Sequence, residues 1–391
     1  MEFGSGAEDD LFRERVREWL AEHLTGYSGT WERELGTGGW IGLGWPEQGY
    51  GNRTASLMQQ VVFAEEYARC GAPARSGHIG ENLLAPTLIA HGTEEQKRRF
   101  LPPIARGDEL WCQGYSEPGA GSDLAGVRTK AVRDNAAGGG AGAGGTPLYR
   151  VTGQKIWTSL ARDADWCFVL ARTEPGSKRH HGLSFLLVPM DQPGRIDVRP
   201  IQQITGTSEF NEVFFDGAHA RVDHVVGGEG NGWRVAMSLL GYERGVSTLA
   251  QQIGFAEEFD RVLRQAVASG TADDPVLRDR LVRAWAELRT LRWNALRTLG
   301  TPVPDPGAAS VAKLLWGGWH QRLGELALHA RGAAATEGPA DWSADHPYVL
   351  DAAQHLFLFS RADTIYGGSD EIQRNVIAER VLGLPREVRV P

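Results

Sequence analysis

Residues 113–123 read Gln-Gly-Tyr-Ser-Glu-Pro-Gly-Ala-Gly-Ser-Asp, and the rest of the chain is organised around this stretch. Pro118, Gly119 and Gly121 in so short a run mark a tight turn rather than a helix or strand interior. Ser116, Gly119, Gly121 and Ser122 leave backbone N–H groups and small hydroxyls to meet a flat or anionic ligand at close range. Further on, Gly153-Gln154-Lys155-Ile156-Trp157-Thr158-Ser159 sets a bulky indole before two hydroxyls. That combination suits one face and one edge of a fused-ring cofactor. Either patch alone reads equally well as a surface turn or a core tryptophan; together they point to a ligand site.

The hydrophobic period changes on both sides of these patches. From about Asp9 to Gly107 it is helical, with Leu11, Val16, Trp19, Leu20 and Leu24 recurring among Arg and Glu. Thr93-Glu94-Glu95-Gln96 is a capping-box match that opens a helix over 94–104. At Glu109 the period falls to two. Short β-branched and aromatic runs follow at 127–133, 148–155, 165–172, 182–190, 196–201 and 209–215, bounded by Gly, Pro and Asp. From Gly232 the chain turns helical again, with helices expected over 233–268, from Pro275, and over 308–331, 349–360 and 371–381. Leu277, Leu281, Trp285, Leu288, Ala295 and Leu299 are expected on the buried face of the second of these. The resulting expectation is an α+β chain of three domains: helical over 7–108, antiparallel β over 109–226, and a four-helix bundle over 227–391. Asn135–Pro147 (NAAGGGAGAGGTP) reads as a flexible hairpin loop, and the basic run Ser177–His181 as a solvated loop.

Composition narrows the function. With 391 residues, 41% of them hydrophobic and 23% charged, the chain suits a soluble protein of several domains. No apolar run approaches the roughly 20 residues of a membrane helix. Met1–Gly6 lacks the basic and apolar regions of a signal peptide. Cys70, Cys112 and Cys167 are odd in number and scattered, which argues for a reducing cytoplasm and against a disulfide framework or a metal site. A net charge of −8 argues against nucleic-acid binding.

The runs GYSEPGAGSDLAG, GQKIWTS and ADWCFVLART, with the tail IYGGSDEIQRNVIAERVLGLPR, resemble the acyl-CoA dehydrogenase family of flavoproteins. The resemblance implies FAD, with Gln113, Tyr115, Ser116, Gly121 and Ser122 lining the flavin and its phosphates. Trp157, Thr158 and Ser159 would lie beside the isoalloxazine ring, Ser369 and Glu371 would approach the cofactor, and Ser122 would also face the substrate. It implies conversion of an acyl thioester, on coenzyme A or an acyl carrier protein, to the trans-2-enoyl thioester. An electron-transfer flavoprotein is implied as acceptor, and a homodimer or homotetramer as assembly.

Two departures from the family pattern stand out. Most relatives place a Glu after the Tyr of the late motif, where this chain has Gly367; its N–H can still bind the thioester oxygen, but glycine takes no proton. Some branches carry the base on the first bundle helix before an Arg, and here Leu240-Gly241-Tyr242-Glu243-Arg244-Gly245 makes Glu243 the expected base and Arg244 a substrate-positioning residue. Glu371 is the rival base. The Arg-x-x-Phe-Gly and Gln-x-x-Gly-Gly-x-Gly stretches that reach a neighbouring subunit's FAD are also missing, the corresponding regions being 268–280 and 327–337, with Arg278 a weak replacement. This leaves open a hetero-oligomer in which the chain is a half-site partner, and an acyl-thioester oxidase on the same scaffold.

Overall fold

The computed structural model describes residues 6–27, 29–134, 147–242, 246–299, 307–338, 343 and 349–385. Within them the chain divides into two compact units, one reaching to Gly245 apart from 204–207 and the other starting at Val246.

The first unit opens with helices α1 (Ala7–His23), α2 (Trp31–Thr37), α3 (Leu57–Arg69), α4 (Ala85–His91) and α5 (Glu94–Ala105). The capping box behaves as its sequence demands: Gln96 N donates to Thr93 Oγ1 at 3.2 Å, and Thr93 N donates to Gln96 Oε1 at 3.0 Å. α1, α2 and α3 enclose an aromatic core of Phe12, Trp31, Trp40 and Phe63. Arg13 and Arg17 of α1 both bind the buried Glu66 carboxylate of α3.

The sheet that follows has eight strands: β1 (Trp111–Gly114), β2 (Lys130–Asp134), β3 (Leu148–Ser159), β4 (Trp166–Arg172), β5 (Leu183–Pro189), β6 (Ile196–Ile201), β7 (Phe210–Arg221) and β8 (Val225–Val226). Its order is β6-β7-β3-β2-β4-β5-β8, with β1 also on β4. The expected antiparallel sheet is mixed, because β1 and β2 both run parallel to β4. β7 alternates buried and partly exposed residues, so one of its faces is covered. β4 and β5 are buried almost without interruption, which explains their continuous apolar sequence. One face carries Tyr149, Val151, Val169, Leu186 and Val213. The other joins Phe168, Phe185 and Leu187 to Leu88, Phe100 and Trp111, and to Val235 and Leu239 of helix α6 (Gly232–Tyr242). The helix expected over 233–268, long or kinked, is two elements, α6 in the first unit and α7 (Val246–Ala268) in the second. Residues 135–146, most of the expected hairpin loop, lie outside the described residues.

The second unit packs α7 with α8 (Pro275–Leu299), α9 (Ala308–Arg331) and α10 (Ala352–Phe359), followed by α11 (Asp370–Val376). Its core holds Phe255, Phe259, Leu277, Leu281, Leu288, Trp319, Leu323 and Leu326. Trp285 does not join it: the indole is 52% exposed, and Ala284 takes the inward position one residue earlier. Ser369 caps α11, its Oγ accepting from Ile372 N.

Candidate functional site

The two sequence patches meet in the first unit. β1 ends at Gly114 and runs into the Ser116–Asp123 turn, while β3 carries Lys155–Ser159. Between Lys155 and Thr158 the register of β3 on β7 shifts, so Ile156 and Trp157 leave the ladder as a bulge. Ile156 N instead donates to Ser116 O at 3.0 Å, which fastens the turn to the bulge. Trp157 takes φ 61°, a conformation that bulky side chains rarely adopt. Its indole is 56% exposed and rests edge-on against Phe210, with ring centres 6.1 Å apart. Backbone strain of this kind clusters at ligand sites, which makes the exposed indole a candidate platform for a flat ligand. The pleat sends the neighbouring side chains opposite ways: Ser159 is partly exposed, whereas Thr158 is fully buried and its carbonyl accepts from Asn211 Nδ2.

A buried ion pair holds the turn from beneath. Lys155 Nζ, fully buried, donates to Tyr115 O at 3.0 Å, Leu170 O at 2.8 Å and Glu117 Oε1 at 2.9 Å. Glu117 also accepts from the N–H groups of Arg128 at 2.6 Å and Thr129 at 2.8 Å. Burial works to raise the Glu117 carboxyl, but Lys155 and these donors outweigh it and hold the group below its ordinary range. Both residues lie within the two motifs, and their signal in the sequence is a charge inside an otherwise apolar or turn-forming stretch. Tyr115 is 4% exposed, with its ring edge-on to Phe168 and Phe185.

Arg172 is a second organiser that the sequence did not reveal. Its guanidinium donates to the carbonyls of Ala125, Val127, Ser177, Arg179 and His181, stapling the basic loop to the segment after the turn. Arg179 reaches Asp123 Oδ1 at 2.8 Å, so the loop read as solvated is tied to the motif. Beside the turn a cleft of about 310 Å³ opens between Glu117–Gly119, Gly126–Thr129 and Gly153–Gln154.

Gly119 and Gly121 have no conformational or packing reason to be glycine. Neither has a positive φ, and a Cβ built on either meets nothing within 4 Å. The space they keep open is space outside the protein. Gly121→Ala is therefore expected to leave stability unchanged or raised by up to about 1 kcal/mol while weakening cofactor retention. Urea unfolding and flavin content after gel filtration measure the two effects separately.

In the second unit, Gly367 and Gly368 form a turn with φ 64° and 86°. Any other residue at Gly367 would bear the left-handed penalty of about 1–2 kcal/mol. Ser369 caps α11, and the exposed Glu371 lies 3.8 Å from Arg374 Nη1. The helix-start N–H of Glu371 and the Ser369 hydroxyl hold the Glu371 carboxyl below its ordinary range. Glu243, Arg244 and Gly245 lie outside the described residues. No group of three or more potential metal ligands occurs among those described.

A mixed sheet with a glycine turn fastened to an exposed indole at its rim offers a platform for a flat ligand. The acyl-CoA dehydrogenase N-terminal, middle and C-terminal domain models match residues 6–108, 112–218 and 230–382. Acyl-CoA dehydrogenase IpdE1 of Mycobacterium tuberculosis is 52% identical over 97% of this chain and 98% of its own length. Among solved structures, the Tcur3481–Tcur3483 steroid ACAD has a TM-score of 0.81 at 30% identity, covering 99% of this chain and 100% of that one. The ChsE4–ChsE5 complex of M. tuberculosis has 0.80 at 31%, with the same coverage. The chain belongs to the acyl-CoA dehydrogenase family; it is an enzyme of that family and its cofactor is FAD. The exposed Trp157 face, the Ser116, Ser122 and Ser159 hydroxyls and the open glycine turn fit that group. No described helix is long and apolar enough to cross a membrane.

Proposed function

We propose that the chain dehydrogenates a bulky acyl-CoA to its trans-2-enoyl thioester, with Glu243 as the base and the Gly367 N–H on the thioester oxygen. The observation that carries this reading is the fastening of the Ser116 turn to the bulge at Ile156 and Trp157, which brings the two motifs together. Bound FAD would accept the β-hydride. The chain's own work is to hold the ring against Trp157, with Gln113, Ser116, Gly121, Ser122 and Ser159 along its edge and phosphates. An α-proton of a thioester is weakly acidic, so a carboxylate base and an N–H on the oxygen that gains charge are both needed. Glycine at 367 supplies only the second, and Glu243, followed by Arg244 as positioning residue, supplies the first. The steroid ACAD among the similar structures supports a bulky acyl group. A carrier-protein thioester is the alternative substrate, an electron-transfer flavoprotein the acceptor and the cytoplasm the compartment.

A second reading, a half-site subunit in a hetero-oligomer, is favoured by the absence of both FAD-reaching stretches. It is also favoured by an exposed stripe on α8, where Val282, Trp285 and Trp293 are 59%, 52% and 56% exposed. Purifying the chain alone separates the two. A yellow protein with one FAD per chain, bleached anaerobically by an acyl-CoA, supports the first reading. A colourless protein that becomes yellow and active only with a second polypeptide supports the second, and rapid peroxide formation identifies an oxidase.

A further inference from the structure

The second unit contains a line of charged groups that the reaction above does not use. His320 of α9 is buried between two carboxylates: Nδ1 lies 2.6 Å from Asp363 Oδ2, and Nε2 lies 2.7 Å from Glu258 Oε2 of α7. Asp363 is fully buried in the single turn Ser360–Thr364, just before the Ile365–Ser369 motif. Its Oδ1 accepts from the Tyr366 hydroxyl at 2.7 Å, and its carbonyl accepts from Lys313 Nζ. The Lys313 ammonium lies 4.0 Å from the Trp316 ring centre and 4.8 Å from that of Tyr366. On the far side of the turn, the buried Gln373 donates from Nε2 to the carbonyls of Gly367 at 3.2 Å and Gly368 at 3.3 Å. The two left-handed glycines are thus anchored from both ends.

Charges in a helix-bundle core are costly to bury and rarely improve stability over apolar packing. Here every link leads toward one exposed turn. We propose that Glu258, His320 and Asp363 form a positioning relay that fixes Tyr366 and, through it, the direction of the Gly367 N–H toward the thioester oxygen. The inference rests on the role given to Gly367 above.

Both imidazole nitrogens face carboxylates, so both must donate for the relay to be complete. Burial works to lower the pKa of His320, but the hydrogen bonds to Asp363 and Glu258 outweigh it and raise the group to about 9. Its stabilising contribution is therefore fully present below about 6.5, the unfolded value, and is lost as pH rises through about 9. Burial lowers Lys313 to about 8 against the opposing pull of Asp363 and Asp370. Its buried charge opposes folding at lower pH, and that cost eases as pH rises through about 8. Loosening of the relay on the alkaline side is the work of His320.

The test uses the FAD-loaded enzyme and two variants, His320→Gln and Glu258→Gln, the latter at the partly exposed end of the relay and so the safer one for folding. In the unsubstituted enzyme kcat should fall as pH rises past about 9. His320→Gln should lower kcat at neutral pH roughly 10- to 100-fold with KM within about two-fold, and abolish the alkaline limb. Glu258→Gln should keep the limb but move it to lower pH. Amide exchange at Tyr366–Gly368 should quicken in both variants. Variants that lose thermal stability yet keep kcat, the alkaline limb and the exchange rates would reduce the cluster to bundle packing and overturn the proposal. If the enzyme oxidises no acyl thioester while exchange still quickens, the assigned reaction fails and the relay stands only as the anchor of the Tyr366–Gly368 turn.

Discussion

Glu243→Gln is expected to retain FAD and to slow flavin reduction by an acyl-CoA by a factor on the order of 10²–10⁴. Glutamine keeps the size and hydrogen-bonding reach of the side chain but cannot accept the α-proton. The effect should fall on the reduction step rather than on binding, and anaerobic stopped-flow bleaching of the flavin measures it directly. The large factor follows from the state of the late motif, since Gly367 has no side chain to substitute for the lost carboxylate. Glu371 is a weak rival: it is exposed, and the donors at the start of α11 hold its carboxyl low, which makes it a poorer base. Unchanged reduction in Glu243→Gln would nevertheless move the base to Glu371 or to a second polypeptide.

The largest effect on stability should come from Lys155→Met. The substitution fills nearly the same volume but removes the only charge paired with the buried Glu117 in the described contacts, along with the donors to Tyr115 O and Leu170 O. Breaking one partner of a buried pair typically costs about 3–5 kcal/mol, because the remaining carboxylate loses its counter-charge and keeps only the Arg128 and Thr129 N–H donors. Urea unfolding should register that loss, and FAD retention should fall with it because the same lysine seats the Ser116 turn. Glu117 sets the pH sense. A carboxyl held below its ordinary range contributes stability above the unfolded carboxylate range, and that contribution disappears as pH falls through the folded value. The variant should therefore lose most of its difference from the unsubstituted protein in acid. A cost below about 1 kcal/mol at neutral pH would show that the pair is expendable.

Local chemistry wrote much of this protein into its sequence. Thr93 and Gln96 closed their capping box, the α9 helix spans the same residues that its periodicity indicates, and β6 does likewise. The glycine turn, the Trp-Thr-Ser run and the glycine at 367 were all visible, because turn residues and missing carboxylates are properties of single positions. Tertiary structure decided what depends on partners distant in sequence. The sequence could not show that β1 and β2 run parallel to β4, because strand direction is set by connections and by cover on both faces. Nor could it show that Trp157 would leave the ladder, since a bulge needs a register on β7 to break. Trp285 followed the helical period yet lies outside the core, because Ala284 is the residue that faces α9. Lys155 with Glu117, Arg172 with its carbonyls, and His320 between Glu258 and Asp363 read as ordinary charged residues until folding removed water from around them. Charges acquire their roles from burial and from neighbours that only the folded chain brings within hydrogen-bonding distance.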